Sequence, residues 1–259
     1  MTAIDMTAID MTAIDMTAID EAALRVDLAA AFRLAARFGW HESVGNHFSA
    51  ALAKDGRRFL MNRKWRPFAT VRASDLQTLD ADDPEVMARA DAPDASAWCI
   101  HGNAHRRVPS ARVILHCHPI AATTLSTLAD PRLLPIDQNT ARFFGRYAID
   151  PECGGIADND AEGIRIAGLL AQAPTLIMAN HGVTCVAATV AEAFENLYFF
   201  ERAAETLLRA YATGKPLAVM SDAIAEHTAR GWDAYRGMAF AHFDHLKSLL
   251  DAEDATFRE

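Results

Sequence analysis

The sequence predicts an α/β protein, and three features predict it. Two short, almost wholly apolar segments, ARVILHCH (residues 111–118) and TLIMANHGVTCV (175–186), lie between chain breakers. Such runs read as strands buried on both faces. HFSAALA, the turn KDG and RRFLMN form a hairpin pattern over 47–62. A long helix is announced by Thr189 with Glu192, spaced as a capping box, and stopped by Gly214 and Pro216. Helical and strand patterns mix without a linker, so one domain over 21–259 is expected.

In chain order, residues 1–20 are MTAID written four times. Isoleucines five apart advance ~500° on a helix and make no stripe. The block also has no basic leader of a secretory signal, and a frayed extension is expected. Asp20 is a good N-cap for EAALRVDLAAAFRLAARFGW, which stops at Gly39. After the hairpin, SDLQTLDADD reads as a turn and short strand, and the acidic stretch 80–94 as a surface loop. Residues 95–107 read as a helix ending before Pro109, and IAATTLSTLA as another after the strand 111–118. FFGRYAIDPECGGIADND is turn-rich, and 160–172 is helical. A last helical region, 221–250, is expected to break at Gly231 and Gly237.

Composition excludes several classes. Hydrophobic residues make up 51% and charged residues 23%, as in a folded globular chain. The net charge of −9 argues against a broad nucleic-acid face. No apolar run approaches the ~18 residues of a membrane span. The four cysteines form no CxxC pair, which fits a reduced, cytoplasmic setting.

The ten histidines carry the chemistry. His116 and His118 alternate on a strand, so both imidazoles leave by one face, where they can converge on a divalent ion. Cys117 points the other way. His181 lies where the second buried strand breaks, at Asn180-His181-Gly182, with Gly182 permitting an unusual backbone. Three imidazoles with an open position are a catalytic zinc arrangement. His101 and His105 share one face of the helix 95–107 as further ligands, supporting partners or proton carriers. His41 and His47 flank Gly45-Asn46, and His227, His242 and His245 are expected in solvent.

With HCHP and ANHG in this order, the sequence resembles the class II aldolase/adducin family. The matching pieces are GNHFSA, RASDLQTLD, IHGNAHRRVPSARVILHCHP, and ANHGVTCV followed by TVAEAFENLYFFERAAE, within 21–257. The resemblance implies a three-layer α/β/α domain with a mostly antiparallel central sheet. It also implies a homotetramer with sites at subunit interfaces. One divalent ion per subunit would sit on His116, His118 and His181, zinc first, with Mn, Co or Fe as alternatives. Asn46 matches a position that helps bind the anionic end of a substrate. Tyr147 is the nearest candidate for a proton-handling tyrosine supplied by a neighbouring subunit.

Two departures redirect the reading. Sugar-phosphate aldolases of the family carry an acid/base Glu nineteen residues before the first His of HxH, where this chain has Ala97. Their Gly-containing phosphate loop is replaced by NRKWRPF, whose Arg63, Lys64 and Arg66 suit a carboxylate. The expected function is a metal-dependent carbon–carbon lyase acting on a small anionic hydroxy or keto substrate, with His101 or His105 moving the proton. Alternatives are a metal-dependent decarboxylase of a hydroxy-aromatic or keto acid, and a non-catalytic adducin-like interaction domain. The aromatics of the long helix after Thr189, Phe194, Tyr198, Phe199 and Phe200, spread beyond one helix face and predict a partner copy.

Overall fold

A computed structural model describes residues 19–152 and 154–259, so the MTAID repeat lies almost wholly outside the described residues, as does Cys153. Seven strands form one sheet: β1 His47–Ala51, β2 Arg58–Met61, β3 Gln77–Asp80, β4 Val113–Cys117, β5 Tyr147–Ile149, β6 Thr175–Met178 and β7 Gly182–Ala187. Their order is β3-β2-β1-β4-β7-β6-β5. Every neighbouring pair is antiparallel except β5–β6. The sheet is therefore mixed and mostly antiparallel. TLIMANHGVTCV is not one interrupted strand but a hairpin, with β6 and β7 paired across Ala179-Asn180-His181.

Alternation along the strands builds the two outer layers. Val113, Leu115 and Cys117 of β4 join Phe48, Ile177, Val183 and Cys185 in a large apolar core. Helices α1 (Glu21–Arg37), α3 (Ile120–Ser126), α6 (Val190–Ala212) and α8 (Arg236–Asp254) contribute to that side. The opposite face is covered by α2 (Ala95–Arg107) and α5 (Asp160–Leu170). That face carries two separate apolar clusters. One joins Ile100, Ile114, Ile166, Leu176 and Val186; the other joins Ala51, Phe59, Met61, Leu79 and Ala97. The buried polar residues His47 and Ser49 of β1, between β2 and β4 in the sheet, divide them.

Local signals explain the helix ends. The Asp20 and Asp94 side chains accept from the first-turn N–H groups of α1 and α2, and Thr189 from that of Glu192 in α6. Gly214, at φ 65°, follows the C-terminus of α6 in the left-handed region. Strand β5 and the short α4 (Gln138–Ala141) lie in or beside the turn-rich stretch, where no pattern announces them. The final helical region breaks after α7 (Asp222–Gly231), through a 3-10 turn over Trp232–Tyr235, whereas Gly237 continues α8. Phe257, fully buried in a last 3-10 turn (Ala255–Arg258), joins the same core as α1. Arg33 pairs with Asp254 and Arg37 with Glu253, both at 2.9 Å.

The aromatics of α6 do not call for a partner copy. Phe194 and Phe200 are fully buried in the core. Tyr198 packs on Phe38, Trp40 and His242, and Phe199 lies under Arg142 and beside Trp232. The C-terminal helices cover what the helical wheel leaves over.

Candidate metal centre

The site forms at one end of the central strands. In the sheet register His116 pairs with His47 on one side and with Thr184 on the other. His118 follows β4 directly, and His181 sits in the β6–β7 turn. The potential ligand atoms of His116, His118 and His181 all lie within 4.8 Å of one another. Among the described residues this is the one such group of His, Cys, Asp or Glu.

The surrounding hydrogen bonds orient two of the rings. Thr184 donates its hydroxyl to Met178 Sδ, so its oxygen accepts from His116 Nδ1, 3.0 Å away. Glu42 Oε2 accepts from His118 Nδ1 at 2.6 Å. Each neutral ring then carries its lone pair on Nε2, and these two Nε2 atoms are 3.2 Å apart. Two lone pairs cannot hydrogen-bond to each other, so the arrangement calls for a positive centre between them. His181 completes the set, its ring centroid 4.9 Å from that of His116 and 4.6 Å from that of His118. The donor set therefore fits a divalent ion with three imidazole ligands and room for substrate. Glu42 escaped the sequence reading; a carboxylate in the turn just before β1 was its only signal.

The Asn180-His181-Gly182 turn works differently from its sequence expectation. Asn180 holds the left-handed conformation, φ 54°. Gly182 supplies space: a Cβ there would lie 2.5 Å from His118 Cδ2 and 2.8 Å from the Cys117 carbonyl oxygen. After Pro119, the carboxylate of Glu201 accepts from Ala121 N and Ala122 N at 2.9 and 2.8 Å. It anchors the start of α3 immediately beyond His118.

His101 and His105 face the sheet from α2 and are enclosed, 0% and 3% exposed. His47 Nδ1 meets His101 Nε2 at 2.8 Å. Ser49 Oγ meets His101 Nδ1 at 2.5 Å and His105 Nε2 at 2.7 Å. His105 Nδ1 meets the Ala111 carbonyl oxygen at 2.9 Å. Both nitrogens of His101 and of His105 are thus engaged inside the protein. This corrects the expectation that either ring reaches a substrate directly.

Burial disfavours the charged form of these rings, lowering His105 to about 3 and His101 well below the ordinary 6.5. Below pH ~6.5 the unfolded chain therefore binds more protons than the native one, and stability falls as pH falls. Above that pH the contribution is fully present. For His105 alone the loss reaches about 2 kcal/mol at pH 5. Thermal melts of metal-free protein should show Tm dropping between pH 7 and 5, with a shallower drop in His105→Gln. An equal drop in both proteins would contradict a buried neutral His105.

The remaining predicted residues divide. Asn46 is 2% exposed; its Oδ1 accepts from Glu42 N at 2.6 Å, while its Nδ2 is enclosed without a partner among the described residues. Arg66 is held by Asp75 at 2.9 Å, Arg63 faces Asp91 at 3.6 Å, and Lys64 lies over the Trp65 ring. Ala97 is buried in the cluster with Phe59 and Met61, so no acid stands there. Tyr147 is packed against the main core and its hydroxyl accepts from Leu133 N at 3.0 Å. It begins β5 opposite Thr175, the end of β6 away from His181, so it does not reach the triad of its own chain. His242 is not solvated either: its Nδ1 donates to buried Glu195 at 2.7 Å. A cleft of about 660 Å³, lined by Arg112, Thr175, Val186 and Ala187, lies at the far end of the strands and does not include the triad.

Comparison with known proteins shows the family. The model of the Class II Aldolase and Adducin N-terminal domain matches residues 26–208. A putative aldolase class 2 protein of Caulobacter vibrioides is 29% identical over 206 residues, 80% of this chain and 79% of that protein. Decarboxylase NovR of Streptomyces niveus is 26% identical over 90% of this chain and 89% of its own length. The crystal structure of an aldolase II superfamily protein from Pseudomonas syringae superposes with a TM-score of 0.83 at 27% identity, covering 95% of this chain and 98% of that one. With the family's pattern matched over most of its length and its three-layer fold reproduced, the chain belongs to the class II aldolase and adducin family.

Proposed function

We propose that the protein is a divalent-metal-dependent lyase that breaks a carbon–carbon bond in a small anionic hydroxy or keto substrate. The observation that carries this reading is the pair of facing Nε2 lone pairs on His116 and His118, with His181 closing the set. When bound there, a divalent ion, zinc first, supplies electron withdrawal from a substrate carbonyl. The chain's own residues do the rest. Glu42 and Thr184 hold the ligand tautomers, and Asn46 Nδ2 offers a donor to a substrate oxygen. Lys64, which makes no ion pair among the described residues, and Arg63, whose contact with Asp91 is long and exposed, attract the anion. Subunits are proposed to assemble as homotetramers; exposed Trp65, Ile120 and Ile156, at 68%, 73% and 78%, offer apolar surface for contact.

Decarboxylation on the same site is the second reading. It is favoured by the dry apolar surroundings of Ala97 and by the similarity to Decarboxylase NovR. Purified protein loaded with Zn2+, Mn2+, Co2+ or Fe2+ should be offered hydroxy acids, keto acids, hydroxy-aromatic acids and sugar phosphates, with products followed by mass spectrometry. Metal-dependent, chelator-sensitive turnover of a carboxylate-bearing compound is expected, with an aldehyde fragment marking aldol cleavage and CO2 marking decarboxylation. Brisk turnover of sugar phosphates alone would overturn the substrate class. Absence of metal uptake would leave the interaction-domain reading in its place.

A further inference from the structure

Resting on the lyase reading, we propose that His47 Nε2 is a fixed hydrogen-bond acceptor for a substrate hydroxyl beside the histidine triad, held in that state by a directed chain through His101, Ser49 and His105. The direction is set at the far end. A carbonyl oxygen only accepts, so His105 Nδ1 must donate to Ala111. Neutral His105 then accepts at Nε2, and Ser49 donates its hydroxyl proton there. The Ser49 oxygen is left to accept from His101 Nδ1, which places the His101 lone pair on Nε2. His47 must therefore donate from Nδ1, and its own lone pair falls on Nε2. Each link dictates the next, so a carbonyl remote from the site decides the tautomer of a ring beside it.

That ring is placed to meet a ligand. His47 pairs with His116 across the strands and stacks on it, ring centroids 4.8 Å apart and planes 26° apart. His116 in turn lies against His118 and His181, ring centroids 5.0 and 4.9 Å away. Nε2 makes no hydrogen bond among the described residues, and the residue is 3% exposed, its ring stacked on that of His116. A fixed acceptor there takes a donor, and a hydroxyl is the donor that hydroxy-acid substrates carry. A ketone or ether oxygen at that point would face lone pair to lone pair, an unmade hydrogen bond with its full desolvation cost. The role is one of specificity and is separate from holding the ion.

Two measurements test it on the full chain. Long-range 1H–15N correlation spectra of metal-free, 15N-histidine protein should show His47, His101 and His105 all protonated on Nδ1. In Ser49→Ala the chain is cut, and His101 and His47 should shift towards mixed tautomers, whereas Ser49→Thr, which keeps the hydroxyl, should preserve the pattern. His47 protonated on Nε2, or unchanged by Ser49→Ala, overturns the proposal. If Ser49→Ala does not fold, His105→Gln, whose amide can span Ser49 and Ala111, should keep His47 on Nδ1–H, and the opposite tautomer would overturn it. In the second measurement, calorimetry on Zn2+-loaded protein compares glycolate with methoxyacetate. Glycolate should bind at least ~10-fold tighter, falling below ~3-fold discrimination in Ser49→Ala. Equal binding of the two by the unmutated protein overturns the proposal. Failure to take up Zn2+, with the tautomers as stated, counts against the lyase reading alone.

Discussion

Replacing His181 with alanine should strip the protein of its divalent ion. The unmutated chain is expected to retain about one ion per chain after dialysis, as catalytic zinc sites with three protein ligands do. The variant keeps the His116 and His118 Nε2 atoms 3.2 Å apart but loses the third arm. Removing a partner behind a ligand typically weakens a metal site 10–100-fold, so removing the ligand itself should weaken it by at least about 100-fold. Elemental analysis and competition with a chromogenic chelator read this directly. Glu42→Gln should fall in the 10–100-fold range, because an amide oxygen orients His118 less firmly than a carboxylate. Full metal retention by His181→Ala would remove it from the ligand set.

Gly182→Ala should damage stability and metal affinity together. The added methyl would lie 2.5 Å from His118 Cδ2 and 2.8 Å from a backbone carbonyl. The carbonyl belongs to β4, which is paired to β7 at that point, so the backbone cannot yield cheaply. The ring of His118 must turn away, which breaks its bond to Glu42 and separates the two Nε2 atoms. A cost of about 1–3 kcal/mol in folding stability is expected for such overpacking. Zinc affinity should fall at least tenfold, since a ligand displaced by a fraction of an ångström no longer meets the others. Chemical denaturation with and without Zn2+ separates the two effects. A variant with native zinc affinity would show that His118 does not depend on this space.

Much of the frame was legible because it rests on local rules. Helix α2 starts at the Asp94 cap and stops before Pro109, and β1–β2 follow the hairpin pattern. HCH and NHG identified the triad because polar residues inside apolar runs demand a reason. The buried chain was half legible. His101 and His105 are spaced by one helical turn, but their partners His47 and Ser49 alternate on a strand far away in sequence. Only the packing of α2 over β1 matches those two periods. Strand β5 has three residues and draws its identity from parallel pairing with β6, which leaves no alternation to read. Tyr147 entered through the resemblance, as a tyrosine for a neighbouring subunit's site; within its own chain its hydroxyl accepts from Leu133 N.

The seating of Phe257 in the core that includes α1 has a consequence for biosynthesis. Helix α1 leaves the ribosome long before the C-terminal turn, yet Arg33, Arg37 and Ser74 find their partners at Asp254, Glu253 and Glu259. At roughly 5–20 residues per second, some 10–45 s of translation separate the helix from those partners. During that interval Leu28, Phe32 and Leu34 of α1 lack the C-terminal part of their cover. Nascent chains halted short of residue 250 should therefore be held by chaperones or nicked by proteases near α1, and emergence of residues 250–259 should close the structure.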